Sequence, residues 1–259
     1  MTSTAIKTTK SPERPAGAEG NFYTPKPGKT LPGMNDRIRR LRKLSVETQE
    51  SLSIERALIT TKFYKENLGK YSEPMMRALN YLEICKQKTI YIGADELIVG
   101  ERGPRPKSVP TFPELTCHSV EDFHVLNSRD QQRYTIPQED IDTYEREVIP
   151  YWKGRTMRER IFSHVPTEWK AAYEAGVFTE FMEQRAPGHT TLDGKIYRKG
   201  MLDFKKEIED HIARLDFLND PEATEKLEEL KAMAVSCDAA IIFAERHANL
   251  AEEMAQKET

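Results

Sequence analysis

The run from Pro221 to Glu258 constrains the fold more than any other stretch, because it reads as one helix on the order of 50 Å long at ~1.5 Å per residue. Its apolar positions Leu227, Leu230, Ala234, Cys237, Ile241 and Ala244 form a single stripe. Helices in proteins are stabilised mainly by packing such a face, so the stripe requires a partner, and the chain offers few candidates for one. From Leu250 onward the sequence stays charged and helical, with none of the turn or strand sequence that would close a domain. The expectation is the front portion of something larger.

A chain of 259 residues with 38% hydrophobic content suffices for one large domain or two small ones. Its 39 basic and 42 acidic side chains leave a formal charge of -3, which gives no electrostatic footprint for nucleic acid or an anionic membrane. Neither partner is expected. Cys85, Cys117 and Cys237 lie far apart and outside any CxxC or His-rich spacing, so neither a disulfide framework nor a metal site is expected, and a reducing cytoplasm is the natural setting. The N-terminus lacks an apolar signal core, and no stretch approaches the ~20 apolar residues that span a bilayer. Gly-rich phosphate loops, serine nucleophile elbows and HExxH patterns are absent.

Residues 1–34, rich in Thr, Pro, Gly and Lys, carry too little apolar surface to offset ordering entropy and are expected to form a flexible tail, either an exposed leader or a docking arm. Residues 35–259 form the structured portion. Order is expected to begin with Ile38 to Val46 and to become clear at Ser53, which is expected to cap a helix. A second helix begins at Ser72-Glu73-Pro74, where the spacing of Met75, Ala78, Leu79, Leu82 and Cys85 makes Cys85 a core thiol. Ile90 to Val99 reads as a short strand or strand pair, and the Gly- and Pro-spaced stretch from Gly100 to Pro113 as a long extended connection. Further helices are expected from Ser119, over Pro137–Val148 and Thr156–Phe162, over Thr167 to about Gln184, and over Asp203–Leu215. The fold class is therefore mainly α-helical with a few short strands.

Near residue 184 the helical pattern gives way at Pro187-Gly188 to a loop carrying His189. Phe181 and Arg185 would share a helix face one turn apart. An aromatic wall, a guanidinium that grips a carboxylate or sulfonate in bidentate fashion, and an imidazole that donates to a departing hydroxyl together suit a small-molecule pocket. The same residues also fit a plainer description, with Phe181 in the core, Arg185 at a helix C-terminus and His189 in a loop. His118, His124, His211 and His247 read as structural.

Several segments together resemble the N-terminal part of glycyl radical enzymes of the pyruvate formate-lyase type. They are Ser53-Ile54-Glu55-Arg56-Ala57, Asp95 through Glu101, Pro110-Thr111-Phe112-Pro113-Glu114, Val148 through Lys153, Phe178 through Thr190, Lys199 through Lys205, and Leu215 through Asp220. The match runs from about Ser53 to the end and is most similar to the trans-4-hydroxy-L-proline dehydratases. What the resemblance implies is the N-terminal shell of a ten-stranded α/β barrel, incomplete here. It also implies a substrate pocket lined by residues matching Phe181 and His189, the histidine lying near the hydroxyl that leaves. In branches acting on hydroxylated sulfonates, an arginine matching Arg185 would hold the sulfonate, and the isethionate-cleaving branch has glutamine in place of His189. The implied chemistry is radical: a glycyl radical, installed by a radical S-adenosylmethionine iron–sulfur activating enzyme, generates a cysteine thiyl radical. The Gly-Cys-Val-Glu and Arg-Val-x-Gly loops that carry those two residues do not occur in this chain. No catalytic residue is therefore assigned here, no cofactor is expected to bind the chain directly, and the chain alone is expected to be inactive. The resemblance further implies a homodimer when full length. The alternatives are a carbon–sulfur lyase or dehydratase acting on a sulfonate, and a non-catalytic helical subunit that binds a partner chain.

Overall fold

The computed structural model describes residues 35–177 and 192–258. Helix α1, Asp36–Glu47, starts where the Asn35 side chain accepts the Ile38 amide at 2.9 Å. It buries no residue and is held by charge: Arg40 grips Asp95 with two bonds of 2.6 Å, and Lys107 donates to the carbonyls of Ser45 and Thr48 at its C-terminal end. Strand β1, Ser51–Ser53, leads into α2, Glu55–Asn67, and α3, Glu73–Gln87. The expected cap at Ser53 is corrected: Ser53 ends β1, Ile54 occupies the cap position, and the Ser53 hydroxyl accepts the Glu55 amide at 3.4 Å.

Strand β2, Ser108–Pro110, pairs in parallel with β1, placing Ser51 opposite Ser108 and Ser53 opposite Pro110. Pro110 has no N–H for the ladder and sits at its end, where none is needed. Thr135 joins the far side of β1, its carbonyl accepting from the Leu52 amide at 2.9 Å. The expected extended connection from Gly100 to Pro113 thus also supplies a short strand, whereas the expected strand at Ile90–Val99 forms none. That segment lies open, with Leu97 82% and Ile98 91% exposed, because among the described residues no neighbouring strand gives its side chains a surface to cover.

Helices α4, Val120–Ser128, and α7, Met157–His164, both begin in capping boxes, Ser119 with Asp122 and Thr156 with Glu159. Between them lie α5, Gln138–Glu147, and the single turn α6, Ile149–Trp152. The principal core joins β1 and α2 to α4, α5 and α6 through Leu52, Ala57, Phe123, Ile141, Tyr144 and Trp152. The Phe123 and Tyr144 rings meet edge to face at 5.0 Å, and the Trp152 indole N–H donates to the Thr61 hydroxyl at 2.8 Å. Helix α8, Thr167–Glu174, is shorter than expected: Gly176, at φ +72°, occupies the left-handed conformation that closes a helix.

After a 3-10 turn at Asp193–Tyr197 come α9, Met201–Ile212, and α10, Ala223–Glu258, 36 residues and about 54 Å long. Helix α10 packs against α3 and α9, but the expected stripe is only partly covered: Leu227, Leu230, Ala234, Cys237 and Ile241 are half-buried and Ala244 is exposed. Ala232 and Ala239 are buried in those contacts, and Ser72 donates to Glu228 at 2.8 Å. The Arg246 guanidinium donates to the carbonyls of Cys85 and Lys88 at 2.6 and 2.8 Å, satisfying the open C-terminal end of α3.

Gly103 packs directly beneath β2. A Cβ at that position would lie 2.6 Å from the Ser108 Cβ and 2.7 Å from its carbonyl oxygen, and the backbone has no room to yield. Gly103→Ala is expected to destabilise the chain by about 1–3 kcal/mol. Urea unfolding measures this, and an unchanged midpoint would contradict the packing.

Candidate active site

Phe181, Arg185 and His189 lie outside the described residues. On the near side of them, α8 presents an aromatic cluster. The Trp169 and Tyr173 rings stack with an interplanar angle of 2°, Phe162 stands edge-on to both at 5.5 and 5.3 Å, and the Arg158 guanidinium lies 4.5 Å from the Phe162 ring centroid. On the far side the chain resumes at Leu192, with φ +67°, before the 3-10 turn.

Two of the segments that carry the family resemblance meet in space. Arg56, from the first turn of α2, donates to Glu114 through both of its terminal nitrogens, one bond measuring 3.0 Å, and to the Thr111 carbonyl at 3.3 Å. Its guanidinium carbon lies 4.0 Å from the centroid of the Phe112 ring. With only 16% and 21% of the two side chains exposed, this is a largely buried, bidentate charge pair capped by an aromatic face. Reading the sequence did not connect these residues. They stand 58 positions apart, and a charged residue in a helix's first turn carries no sign of which distant loop it will reach.

The cysteines are placed for packing rather than for reaction. Burial pushes the Cys117 thiol up to about 11, against the opposing hydrogen bond to the Tyr144 hydroxyl 3.7 Å away, and burial likewise raises Cys85 and Cys237. A thiol raised in this way is a poor source of thiolate at neutral pH. Burial lowers the pKa of His118, whose ring lies 5.3 Å from that of Phe123 and 4.0 Å from Asp122, and His247 contacts the Phe243 carbonyl at 2.8 Å. Among the described residues no group of three His, Cys, Asp or Glu side chains is placed to hold a metal ion. Nor, among them, is any helix long and apolar enough to cross a membrane.

The family model described as pyruvate formate lyase-like matches residues 33–259. The chain belongs to that family.

Its resemblance to glycyl radical enzymes therefore holds over the whole stretch on which it was read. Over 227 residues this pyruvate formate lyase-like chain is 45% identical to the trans-4-hydroxy-L-proline dehydratase of Clostridioides difficile, a match covering 88% of this chain and 29% of that protein. The crystal structure of the hydroxyproline dehydratase of that organism, with trans-4-hydroxy-L-proline bound, superposes with a TM-score of 0.82 at the same coverage of each chain. The helices and the strand pair thus match a fragment of the glycyl radical enzyme fold. An isethionate sulfite-lyase of Desulfovibrio desulfuricans is 32% identical over 221 residues, covering 80% of this chain and 26% of the lyase. The chain spans less than a third of the length of these relatives.

Proposed function

We propose that this chain is the N-terminal part of a glycyl radical lyase that eliminates water from a small hydroxylated substrate such as trans-4-hydroxy-L-proline. The observation that carries the reading is the 45% identity to the hydroxyproline dehydratase over 88% of the chain, against 32% to the sulfite-lyase. Histidine rather than glutamine at position 189 points the same way.

In this reading the protein's own residues bind and orient. Phe181 forms an apolar wall against the substrate ring, Arg185 holds its carboxylate through paired N–H donors, and His189 delivers a proton to the hydroxyl oxygen so that it departs as water. The glycyl radical, installed by the iron–sulfur activating enzyme outside this chain, supplies the hydrogen-atom abstraction that labilises the neighbouring carbon–oxygen bond. The complete polypeptide is a cytoplasmic homodimer in this reading, with a ten-stranded barrel of which this chain is part of the shell. A second reading, carbon–sulfur cleavage or dehydration of a hydroxylated sulfonate, draws on the identity to isethionate sulfite-lyase and on Arg185.

The deciding experiment offers trans-4-hydroxy-L-proline and isethionate separately to the complete polypeptide, activated anaerobically, and to the 259-residue chain alone. The complete protein is expected to form a pyrroline carboxylate from the first and no sulfite from the second, and the chain alone neither. Sulfite release with hydroxyproline untouched would establish the second reading. Turnover by the chain alone would overturn its assignment as a part.

A further inference from the structure

A cavity of about 480 Å³ opens between α2, α3, the loop after β2, and α10. Ile84, Phe112, Leu115 and Phe243 give it apolar walls, and its size falls within the range that holds small organic ligands. Its charges do not balance. Of the two lining carboxylates, Glu114 is taken by Arg56, and Glu55 accepts from the Thr89 amide at 2.9 Å and the Thr89 hydroxyl at 2.6 Å. Arg77, Lys88 and Arg102 also line the cavity; Glu55 acts on Lys88 through space, but among the described residues none of the three forms a salt bridge with a carboxylate, so the lining keeps an excess of positive charge. The carbonyls at the C-terminal end of α3, which would ordinarily attract a cation, are occupied by Arg246, and that adds further positive charge.

Lys88 is the most enclosed of these cations. Its ammonium donates to the Arg102 carbonyl at 3.0 Å and lies 4.9 Å from the Phe243 ring centroid, and burial lowers its pKa. An ammonium destabilised by burial gains more from a neighbouring anion than one in water. Independently of charge, Asn80 also lines the cavity. It is 7% exposed, and its side-chain oxygen accepts no hydrogen bond, an omission that costs free energy in the unliganded protein.

We propose that this cavity is a binding site for a small organic acid: a carboxylate directed at Lys88, carried on an apolar body between Phe112 and Phe243, with an N–H or O–H donor for Asn80. The inference rests on this chain's own groups and stands whether or not the dehydratase reading does.

N-acetyl-L-phenylalanine carries all three features, and its primary amide lacks only the charge. Isothermal titration of the 259-residue chain with the acid is expected to show saturable one-site binding, at least about tenfold weaker for the amide. Lys88→Met is expected to weaken the acid by about tenfold or more, and Arg77→Gln, at an exposed position, by about two- to fivefold. Lys231→Met, outside the cavity, should leave binding unchanged, and circular dichroism reports whether each variant folds. Non-saturable heats with the acid would overturn the proposal. So would equal affinity for acid and amide, or affinity unaltered in both cavity variants.

Discussion

His189→Gln in the complete, activated protein is expected to lower kcat for water elimination by about 10²- to 10⁴-fold while KM moves only a few-fold. Hydroxide is a poor leaving group, and the imidazole improves it by passing a proton to the departing oxygen. Glutamine reaches a similar distance and donates a hydrogen bond, but it has no proton to transfer at any accessible pH. Substrate is therefore still held, through Arg185 and Phe181, and the loss falls on the bond-breaking step. The readout is product formed per glycyl radical, with the radical counted by electron paramagnetic resonance, so that a failure of activation is not mistaken for a failure of chemistry. Turnover per radical equal to that of the unsubstituted enzyme would remove His189 from the proposed role.

Arg56→Met is expected to destabilise the chain by about 3 kcal/mol, since the substitution strands the Glu114 carboxylate in a setting where it is only 21% exposed. Loss of the guanidinium from the Phe112 ring adds roughly 0.5–1 kcal/mol. The double variant Arg56→Met, Glu114→Gln removes both charges and is expected to recover half or more of the loss, because most of the cost lies in the unpaired charge. Urea unfolding of the three proteins makes the comparison. A single variant within about 0.5 kcal/mol of the unsubstituted chain would mean the pair is solvated rather than buried.

Local rules served well where the determining partner was local. The helices expected from Ser119 and from Thr156 begin there, each held by a capping box whose two residues stand three positions apart, Ser119 with Asp122 and Thr156 with Glu159. Failures came where the deciding contact was remote or a stop signal was overridden. Leu97-Ile98-Val99 has the composition of a strand, yet β propensity is a preference for a pleated, half-buried surface, and among the described residues no strand lies beside it. Ser108–Pro110 became the strand instead, because Ser51–Ser53 offers it a free edge from more than fifty positions away. The apolar residues after Gly176 continued the helical period and masked the glycine that ends α8 at Glu174. The site divides in the same way. The family was legible from dense motifs, whereas the meeting of Arg56 with Glu114, and of Lys88 with Phe243, depends on the tertiary fold.

The Arg246 contacts that close the end of α3 reach across 161 positions to Cys85. On a ribosome elongating at ~5–20 residues per second, that separation corresponds to roughly 8–32 s between the emergence of one partner and the other. For that interval the face of the nascent α3 that packs against α10 has no α10 to cover it. The β1–α2–α5 core, by contrast, closes once Trp152 has been made. Translation therefore closes this stretch of polypeptide in two instalments, with the first core in place while the α3 face still waits for α10.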